Sequence, residues 1–327
     1  MQKNTHKHPQ SRLPKREVSG IVLLDKPYGI SSSAALTRVR GIYRALKGGH
    51  TGALDPLASG LLPICLGQSA KFSSFFLEGR KKYQATGKLG IVTATADAEG
   101  EVLSRRDIGD ALARLESTIK SFIGKVIQVP PIYSAVKVGG KPLYKYARQG
   151  RSDKVEIPSR EVEIYDISLL NVTDDSFTVE VYCSKGTYIR TLIADIGEAL
   201  GCGAYVTMLR RIAVQGLPEG QMVTLDKLQE LCDFREDSSD FSTLDDLLYP
   251  VDKAMAWLPA VHLPFELAEP FTHGVRQGPN LDRNYFENCD DTFTGPIQIR
   301  CEGRFLGVGH LQRGTLIPDR MMSNPFN

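Results

Sequence analysis

One acidic residue stands alone in a glycine-rich segment, GHTGALDPLASG, at residues 49–60. Asp55 precedes Pro56, and proline disfavours the α conformation at the residue before it, so we expect an extended conformation there. Across residues 26–77, Asp55 is the single acid among six Lys and Arg residues. Neighbouring cations should lower the pKa of Asp55 and keep it ionised as a nucleophile or base. An aspartate that only opens a turn before proline looks the same, and the local sequence alone favours that interpretation.

The isolation of Asp55 and the scatter of the cysteines argue against several classes of site. Two-metal nuclease or polymerase sites need several carboxylates, and glycosidases usually need a pair. No C-x-x-C pair occurs, so we expect neither a metal site nor a disulfide framework, and interpret each cysteine as a small buried or half-buried hydrophobe. The cysteines are Cys65, Cys183, Cys202, Cys232, Cys289 and Cys301.

A second segment, CSKGTYIRTL at residues 183–192, places an arginine at the start of a predicted helix over 187–200. Arg190 falls in the first turn, off the apolar stripe of that helix. A cation there opposes the helix dipole at a cost of roughly 0.3–1 kcal/mol, which an anionic partner would offset. Tyr188 is either a core aromatic or the wall of an active site, and the core is the safer interpretation.

Basic residues are concentrated in two parts of the chain. The net charge is +2, yet residues 26–77 carry +5 and residues 131–160 carry another +5, so the remainder is acidic. Tyr133, Tyr144 and Tyr146 alternate with the cations of the second part, which suits stacking on unpaired bases combined with phosphate contacts. The charge pattern indicates a surface for a polyanion about as well as it indicates an ordinary solvated surface.

The elements that must position these residues alternate between strand and helix. Residues 20–24 read as a buried strand, and Ser31 to Ser33 as the cap of a helix through Leu46. Further strands are predicted at 83–91, 160–170 and 177–183, and helices at 108–122 and 187–200, with Ile189, Leu192, Ile193, Ile196 and Leu200 inward. This order favours an α+β fold with a mostly antiparallel sheet.

The domain organisation follows from changes in composition. Residues 1–17 are interpreted as a disordered basic tail, 18–250 as one large domain, and 251–327 as a small β-rich domain with strands near 297–301 and 305–310. The acidic, serine-rich segment 236–246 reads as a connector. No apolar run reaches the roughly 20 residues that span a bilayer, and no signal peptide is seen, so we expect a cytoplasmic protein without a membrane partner.

Six segments, taken in order, carry a resemblance to a known family: GIVLLDKPYG, GHTGALDPLASGLLPICLG, KKYQATGKLG, PPIYSAVKVGGKPLYKYARQG, CSKGTYIRTLIADIGEALGCGA and VTMLRR. From about residue 20 to 250 the chain resembles the TruB family of tRNA pseudouridine-55 synthases, where 55 numbers a tRNA nucleotide. GALDPLASG and SKGTYIRT are highly specific, whereas the C-terminal portion is only generally similar.

The resemblance implies a role for each site residue. Asp55 matches the catalytic aspartate, Arg190 its ionic partner, Tyr83 the aromatic that stacks on the target uracil, and Asp97 a second acid bound to the arginine. Around this centre, the matching residues are Tyr188 and Leu209 as pocket walls, Lys26 with Pro27 as a supporting turn, and His50 as a wedge in the T-loop.

The resemblance also implies two RNA-binding parts. Residues 131–155 correspond to a flexible thumb that grips RNA, with Lys141, Lys145 and Arg148 as its contacts. The C-terminal domain is similar to a PUA-type RNA-binding domain. The family usually has the pattern T-D-T-x-D, whereas this chain has TATAD at 93–97; Ala94 therefore puts one hydrogen bond near the site in doubt, while Asp97 remains.

The implied reaction isomerises uridine to pseudouridine in the T-loop of tRNA after the base is flipped, and needs no cofactor. The expected partner is the tRNA T-arm, and we expect a monomer with no obligatory protein partner. A guide-RNA-dependent pseudouridylase shares the motifs but works in a ribonucleoprotein. An RNA-binding protein that helps tRNA fold is a second alternative, and a metal-dependent RNA hydrolase is disfavoured because acid and histidine clusters are missing.

Overall fold

The computed structural model describes residues 14–134, 136–150 and 155–326, apart from the side chains of Tyr144 and Arg148. Most of the predicted tail and part of the predicted thumb, residues 151–154, lie outside the described residues. The tail prediction is wrong at Arg16, whose backbone bridges Ala45 and whose guanidinium pairs with Asp245. The acidic connector therefore fixes the end of the tail because it supplies a carboxylate for that cation.

Eighteen strands occur in the described part of the chain. They are β1 (Gly20–Lys26), β2 (Gly48–His50), β3 (Ala58–Leu66), β4 (Lys81–Leu89), β5 (Ile91–Thr93), β6 (Val102–Arg105), β7 (Gly124–Gln128), β8 (Lys137–Val138), β9 (Lys141–Pro142), β10 (Arg160–Val172), β11 (Ser176–Cys183), β12 (Ala204–Val214), β13 (Val223–Thr224), β14 (Ala260–His262), β15 (Phe286–Glu287), β16 (Gly295–Cys301), β17 (Arg304–Gln312) and β18 (Thr315–Met321).

Nine strands form one large sheet with the order β13-β1-β3-β12-β4-β11-β10-β7, and β2 pairs with β3. Neighbours run antiparallel except for β1 with β13 and β3 with β12. A second sheet, β15-β14-β16-β17-β18, lies in the C-terminal part. The predicted α+β class, with its mostly antiparallel mixed sheet and separate β-rich C-terminal part, is confirmed.

Nine α-helices occur among the described residues, and the last of them packs against the second sheet. They are α1 (Ser32–Ile42), α2 (Ser73–Glu78), α3 (Ala111–Lys120), α4 (Leu143–Arg148), α5 (Ile189–Leu200), α6 (Leu225–Asp233), α7 (Ser242–Asp245), α8 (Val251–Ala254) and α9 (Phe265–Thr272). No helix among the described residues is both long and apolar enough to cross a membrane. The six cysteines are free, four buried and two half-buried, as predicted.

The predictions for α5 and α1, the helices that begin closest to the predicted site residues, have different outcomes. In α5 the five residues predicted to face inward are all buried, which confirms its apolar stripe. In α1 the predicted cap is confirmed, since Ala34 N donates to Ser31 Oγ at 3.1 Å. That helix ends earlier than predicted because Arg44 adopts a positive φ of 52°, and Leu46 is left 44% exposed rather than packed.

The two sheets share a hydrophobic cluster. Ile21 and Leu23 of β1 belong to it, together with Met255 after α8 and Val308 of β17. The ring of Phe72 also packs on Phe305, with 5.5 Å between centroids. The predicted boundary near residue 250 therefore falls inside a contiguous packed region and not in an exposed linker.

Removing one buried hydroxyl should test how tightly α1 is held to the connector. Tyr43 is fully buried, and its hydroxyl donates to the Leu244 carbonyl oxygen at 2.7 Å. Tyr43→Phe leaves that carbonyl without this donor, so we expect the free energy of unfolding to fall by about 1–2 kcal/mol in urea denaturation. Tyr28→Phe, at a residue that is 67% exposed, is the control and should change it by less than about 0.5 kcal/mol. Equal unfolding midpoints for the two variants would contradict the packing described here.

Candidate active site

A cleft of about 780 Å³ opens where five parts of the chain meet. Its walls come from the start of α1, the loop before β3, the hairpin after β5, the segment after β7 and the first turn of α5. The lining residues are Ser31, Ser32, Ser33, His50, Ala53, Leu54, Asp55, Pro56, Leu57, Thr95, Asp97, Glu99, Tyr133, Ser134 and Arg190.

The loop that carries Asp55 is held by its backbone. Ser32 Oγ donates to the Leu54 carbonyl oxygen at 3.0 Å and accepts from Leu54 N at 2.8 Å. Gly29 N donates to the Pro56 carbonyl oxygen at 2.8 Å. Gly60 approaches β12 so closely that a Cβ there would lie 2.2 Å from the Arg211 carbonyl oxygen, and its φ is +96°. Only glycine fits that position, so the loop has one defined path into β3.

Arg190 forms ion pairs with two acidic residues of the cleft. One guanidinium nitrogen, Nη2, lies 2.9 Å from Asp55 Oδ2 and donates to the Tyr133 carbonyl oxygen at 2.9 Å. The other, Nη1, donates to Asp97 Oδ2 at 3.1 Å and to the Thr95 carbonyl oxygen at 3.1 Å. Arg190 is 3% exposed. Its position off the apolar stripe is thus not a surface position, and two carboxylates supply the anionic partner that the helix dipole argument requires.

Asp97 is fixed from several directions. It is buried, and its carboxylate accepts hydrogen bonds from Thr95 Oγ1 and from Glu99 N. Ala94, which replaces the usual acid of the resembled family, is exposed, and its backbone N–H donates to the Glu101 carbonyl oxygen. The contacts that hold Asp97 on Arg190 are made by Thr95 and Glu99 and involve no side chain at 94.

Burial in the cleft raises the pKa of Asp55, although 40% of its side chain remains exposed. Arg190 and Lys26 oppose that shift, and Asp97 adds to it. The predicted lowering of the pKa is therefore wrong, because desolvation and a second acid outweigh the cations that the sequence places nearby. A carboxylate with a raised pKa is a stronger base when ionised, and the ion pair with Arg190 keeps it pointed into the cleft.

Lys26 lies fully buried under the same loop. Its Nζ donates to the carbonyl oxygens of Ile30 at 2.7 Å and Pro27 at 2.9 Å. Burial lowers the pKa of Lys26 to about 8, while the charge of Asp55 partly restores it. The structure thus places Lys26 and Pro27 in a turn beneath the Asp55 loop.

Tyr83 and Leu209 lie on adjacent strands behind the loop. Tyr83 of β4 pairs with Arg211 of β12, and Leu209 is buried opposite Ala58 of β3. Burial raises the pKa of the Tyr83 hydroxyl, and the guanidinium of Arg211 partly offsets that shift. Neither Tyr83 nor Leu209 lines the cleft as it stands, so the structure brings them near the loop and leaves their contact with a base as a prediction.

Tyr188 and His50 stand at two margins of the site. Tyr188 caps α5 and exchanges two hydrogen bonds with the amide of Gln128, at 3.0 and 3.2 Å. His50 lines the cleft, and its Nδ1 is buried without a partner among the described residues. Burial and the charge of Arg211 lower the pKa of His50, so the ring is neutral at pH 7.

Tyr133 and Ser134, at the start of the predicted thumb, line the cleft, whereas its predicted contacts Lys141 and Lys145 do not. Lys141 and Lys145 are exposed, and Lys141 Nζ lies 5.8 Å from the ring centroid of Tyr146. The side chain of Arg148 lies outside the described residues. Among the described residues, no three His, Cys, Asp or Glu side chains are grouped so that they could hold a metal ion.

Several residues that build the site were missed from sequence. Thr95 and Tyr133 hold Arg190 through backbone oxygens, which no side-chain pattern reveals. Arg211 is buried and donates to the carbonyl oxygens of Leu61 at 2.7 Å and Gly52 at 3.0 Å. Arg211 occupies a buried position of β12, and an arginine at an inward position of a strand is the signal that could have found it.

Two family models match consecutive parts of the chain. The TruB family pseudouridylate synthase N-terminal domain matches residues 40–189, and the tRNA pseudouridylate synthase B C-terminal domain matches residues 190–256. The chain belongs to the TruB family. It is accordingly a pseudouridylate synthase, and the predicted family membership is confirmed.

Relatives and solved structures agree with this family. The chain is 51% identical to tRNA pseudouridine synthase B of Vibrio parahaemolyticus over 79% of its length and 82% of the relative. It is 44% identical to the protein of that name from Burkholderia mallei, over 96% of this chain and 97% of the relative. The TM-score is 0.68 to a chain of the crystal structure of a Cbf5-Nop10-Gar1 complex, at 25% identity over 90% of this chain and 78% of that one. An archaeal box H/ACA sRNP Nop10-Cbf5 complex, at 21% identity, TM-score 0.69 and coverage of 96% and 89%, shares the fold.

A lysine at position 190 should separate charge from geometry in this TruB-family synthase. Arg190→Lys keeps the charge but cannot reach Asp55 and Asp97 with two nitrogens at once. We expect the single-turnover rate of pseudouridine formation to fall by about 100-fold or more, because a small misplacement of a reacting group has that effect. RNA affinity should stay nearly unchanged.

The matched control for that variant is Arg210→Lys. Arg210 of β12 makes a comparable two-point contact with Asp25 of β1: its two guanidinium nitrogens Nη1 and Nη2 donate to the two carboxylate oxygens at 2.9 and 2.7 Å. This control should retain the wild-type rate. A near-normal rate for Arg190→Lys would show that the ion pair does not position Asp55.

Proposed function

We propose that this TruB-family synthase converts uridine to pseudouridine at position 55, in the T-loop of tRNA. The names of its close relatives, tRNA pseudouridine synthase B, support tRNA as the substrate. The observation that carries the assignment of chemistry is the Asp55 carboxylate, which lies in an open cleft and is held 2.9 Å from a buried arginine.

The reaction is an isomerisation in which the base leaves and returns. The target nucleotide is flipped out of its stack at a cost of a few kcal/mol. The bond between N1 and C1′ breaks by one of two routes. Either Asp55 attacks C1′, and the bond it forms breaks again when C5 bonds to C1′, or Asp55 removes a proton from the ribose and later returns it. Uracil then turns, C5 bonds to C1′, C5 loses its hydrogen as a proton, and N1 gains one, so atoms balance without an oxidant or reductant. The needed groups are a carboxylate, an apolar wall and exclusion of water.

The residues around Asp55 take the following roles in this proposal. Tyr83 stacks on the uracil, and His50 fills the space that the flipped base leaves in the T-loop. Leu209 and Tyr188 form apolar walls. The neutral state of His50 suits an insertion among bases, since no charge has to be desolvated.

RNA binding outside the cleft is assigned to two parts. The thumb, with Lys141, Lys145 and Arg148, contacts phosphates of the T-arm, and the C-terminal sheet acts as a PUA-like RNA-binding unit. The protein acts as a cytoplasmic monomer without an obligatory protein partner. Because binding and refolding of RNA need no turnover, assistance to tRNA folding is compatible with the same surface.

The contribution of the thumb should appear in the salt dependence of binding. Each phosphate contact lowers log affinity by roughly 0.7–0.9 per unit of log salt concentration. Replacing Lys141 and Lys145 together by Ala should weaken binding of a T-arm hairpin and flatten the slope by about 1–2, as measured by fluorescence titration. Lys227→Ala removes an exposed lysine that already pairs with Glu230 and should leave the slope unchanged. An unaltered slope in the double variant removes the thumb from the RNA-binding surface.

Replacing Asp55 by Asn tests whether Asp55 is the catalytic residue. Asn keeps the size but loses the charge and the nucleophile. Pseudouridine formation on an unmodified tRNA transcript should fall by a factor of order 10⁴ or more. Affinity for the same RNA should survive or tighten slightly, because one negative charge leaves a surface that faces phosphates.

Asp110→Asn, on an exposed carboxylate at the start of α3, is the control and should keep the wild-type rate. Appreciable turnover by Asp55→Asn excludes Asp55 as the catalytic residue. Equal losses of turnover and binding make it a structural residue instead. Normal binding without turnover is the result that agrees with the proposal.

A further inference from the structure

Few buried side-chain nitrogen or oxygen atoms lack a hydrogen-bond partner among the described residues, and two of them belong to residues that line the cleft. These are Nδ1 of His50 and Oγ of Ser134. The others belong to Arg16, Arg40 and Thr51, which do not line the cleft. Native proteins pair nearly all buried polar groups, so an unpaired hydroxyl beside a reaction centre is a candidate ligand contact.

Ser134 stands next to the ion pair that orients Asp55. The preceding residue, Tyr133, accepts a hydrogen bond from Arg190 Nη2 through its carbonyl oxygen, and the same nitrogen lies 2.9 Å from Asp55 Oδ2. The backbone at 133–134 is thereby tied to the catalytic arginine. Ser134 itself is 6% exposed, and its hydroxyl finds no donor or acceptor among the described residues.

Leaving this hydroxyl unpaired is unfavourable in the free protein. Alanine would fill the same space without an unsatisfied polar atom. Compared with alanine, a serine at this point therefore gains free energy from a bound molecule that supplies a partner for its hydroxyl. The location beside Asp55 and Arg190 limits that molecule to what occupies the cleft.

We propose that Ser134 is a substrate-positioning residue whose hydroxyl bonds to a polar oxygen of the flipped nucleotide. This inference rests on the proposed function. The oxygen is a carbonyl of the uracil or the 2′-hydroxyl of the ribose, and a serine hydroxyl both donates and accepts, so it matches either.

A contact with uracil would persist through the reaction. Turning the detached ring about its N3–C6 axis exchanges N1 with C5 and, at the same time, O2 with O4. A hydroxyl that donates to one carbonyl before the turn then meets the other carbonyl after it. Such a contact would hold the free base in register without resisting its rotation.

The first test compares Ser134→Ala with Ser134→Cys and the wild type. Both variants should bind a T-arm stem-loop about 3–10-fold more weakly and lose a similar factor in kcat/KM, as expected for one neutral hydrogen bond. The melting temperature of free Ser134→Ala should not fall, and should rise by about 1–2 °C, since an unpaired hydroxyl is removed. Cysteine nearly preserves the volume of serine but bonds weakly, so its defect should match that of alanine.

The second test varies the substrate. Affinities of wild type and Ser134→Ala are measured for stem-loops whose target residue lacks O4, lacks O2 or lacks the 2′-hydroxyl. The penalty of the alanine variant should disappear with the one substrate that lacks the contacted oxygen, and that substrate identifies base or ribose as the partner.

Three results overturn the proposal. They are wild-type affinity in Ser134→Ala, recovery in Ser134→Cys, which would indicate packing, and a penalty that persists with all three substrates. Ser238→Ala, at an exposed serine of the connector, controls for loss of a hydroxyl elsewhere. Affinity is measured without turnover, so the test stands even if wild type forms no pseudouridine at position 55, a result that would refute the proposed function separately.

Discussion

The bridge from Arg190 to Asp55 and Asp97 is the interaction on which the rest of the site depends. A guanidinium in the first turn of a helix, 3% exposed, is costly to desolvate and opposes the helix dipole. Two carboxylates and two backbone carbonyl oxygens compensate it, and they come from three parts of the chain: the loop before β3, the hairpin after β5 and the segment after β7. Losing one carboxylate would leave a buried cation underpaired, so the loop, the hairpin and α5 have to meet in one arrangement.

This constraint explains why the loop before β3 is so firmly braced. Asp55 must meet Arg190 and still face an open cleft, so its backbone is fixed from behind by Ser32, Lys26 and Arg211 and not by contacts to its carboxylate. Desolvation and Asp97 raise the pKa of Asp55 while Arg190 favours its ionised form. The raised pKa makes the ionised carboxylate comparatively basic, as a nucleophile or base requires.

Sequence alone predicted the class of fold, the inward face of α5 and four residues that meet in the cleft, because periodicity and specific motifs are local signals. These four are His50, Asp55, Asp97 and Arg190. The predictions failed where contacts between residues distant in sequence determine the structure or the pKa. The predicted direction of the Asp55 pKa shift was wrong because burial in the cleft desolvates the carboxylate, and because Asp97, 42 positions away in sequence, shares the same arginine. Arg16 was assigned to a disordered tail because its partner Asp245 is 229 residues distant. The roles of Tyr83, His50 and the thumb stay predictions, since they concern contacts with RNA.

The cluster shared by the two sheets has a consequence for synthesis. Ile21 and Leu23 emerge early from the ribosome, yet Val308, a partner in the same hydrophobic cluster, lies nearly at the other end of the chain. At the usual pace of translation, the first strand waits roughly 15–60 s for that partner. During this interval part of its apolar face is uncovered and open to chaperones or to misassociation. The cluster between the two sheets is thus completed only when the last strands have been made.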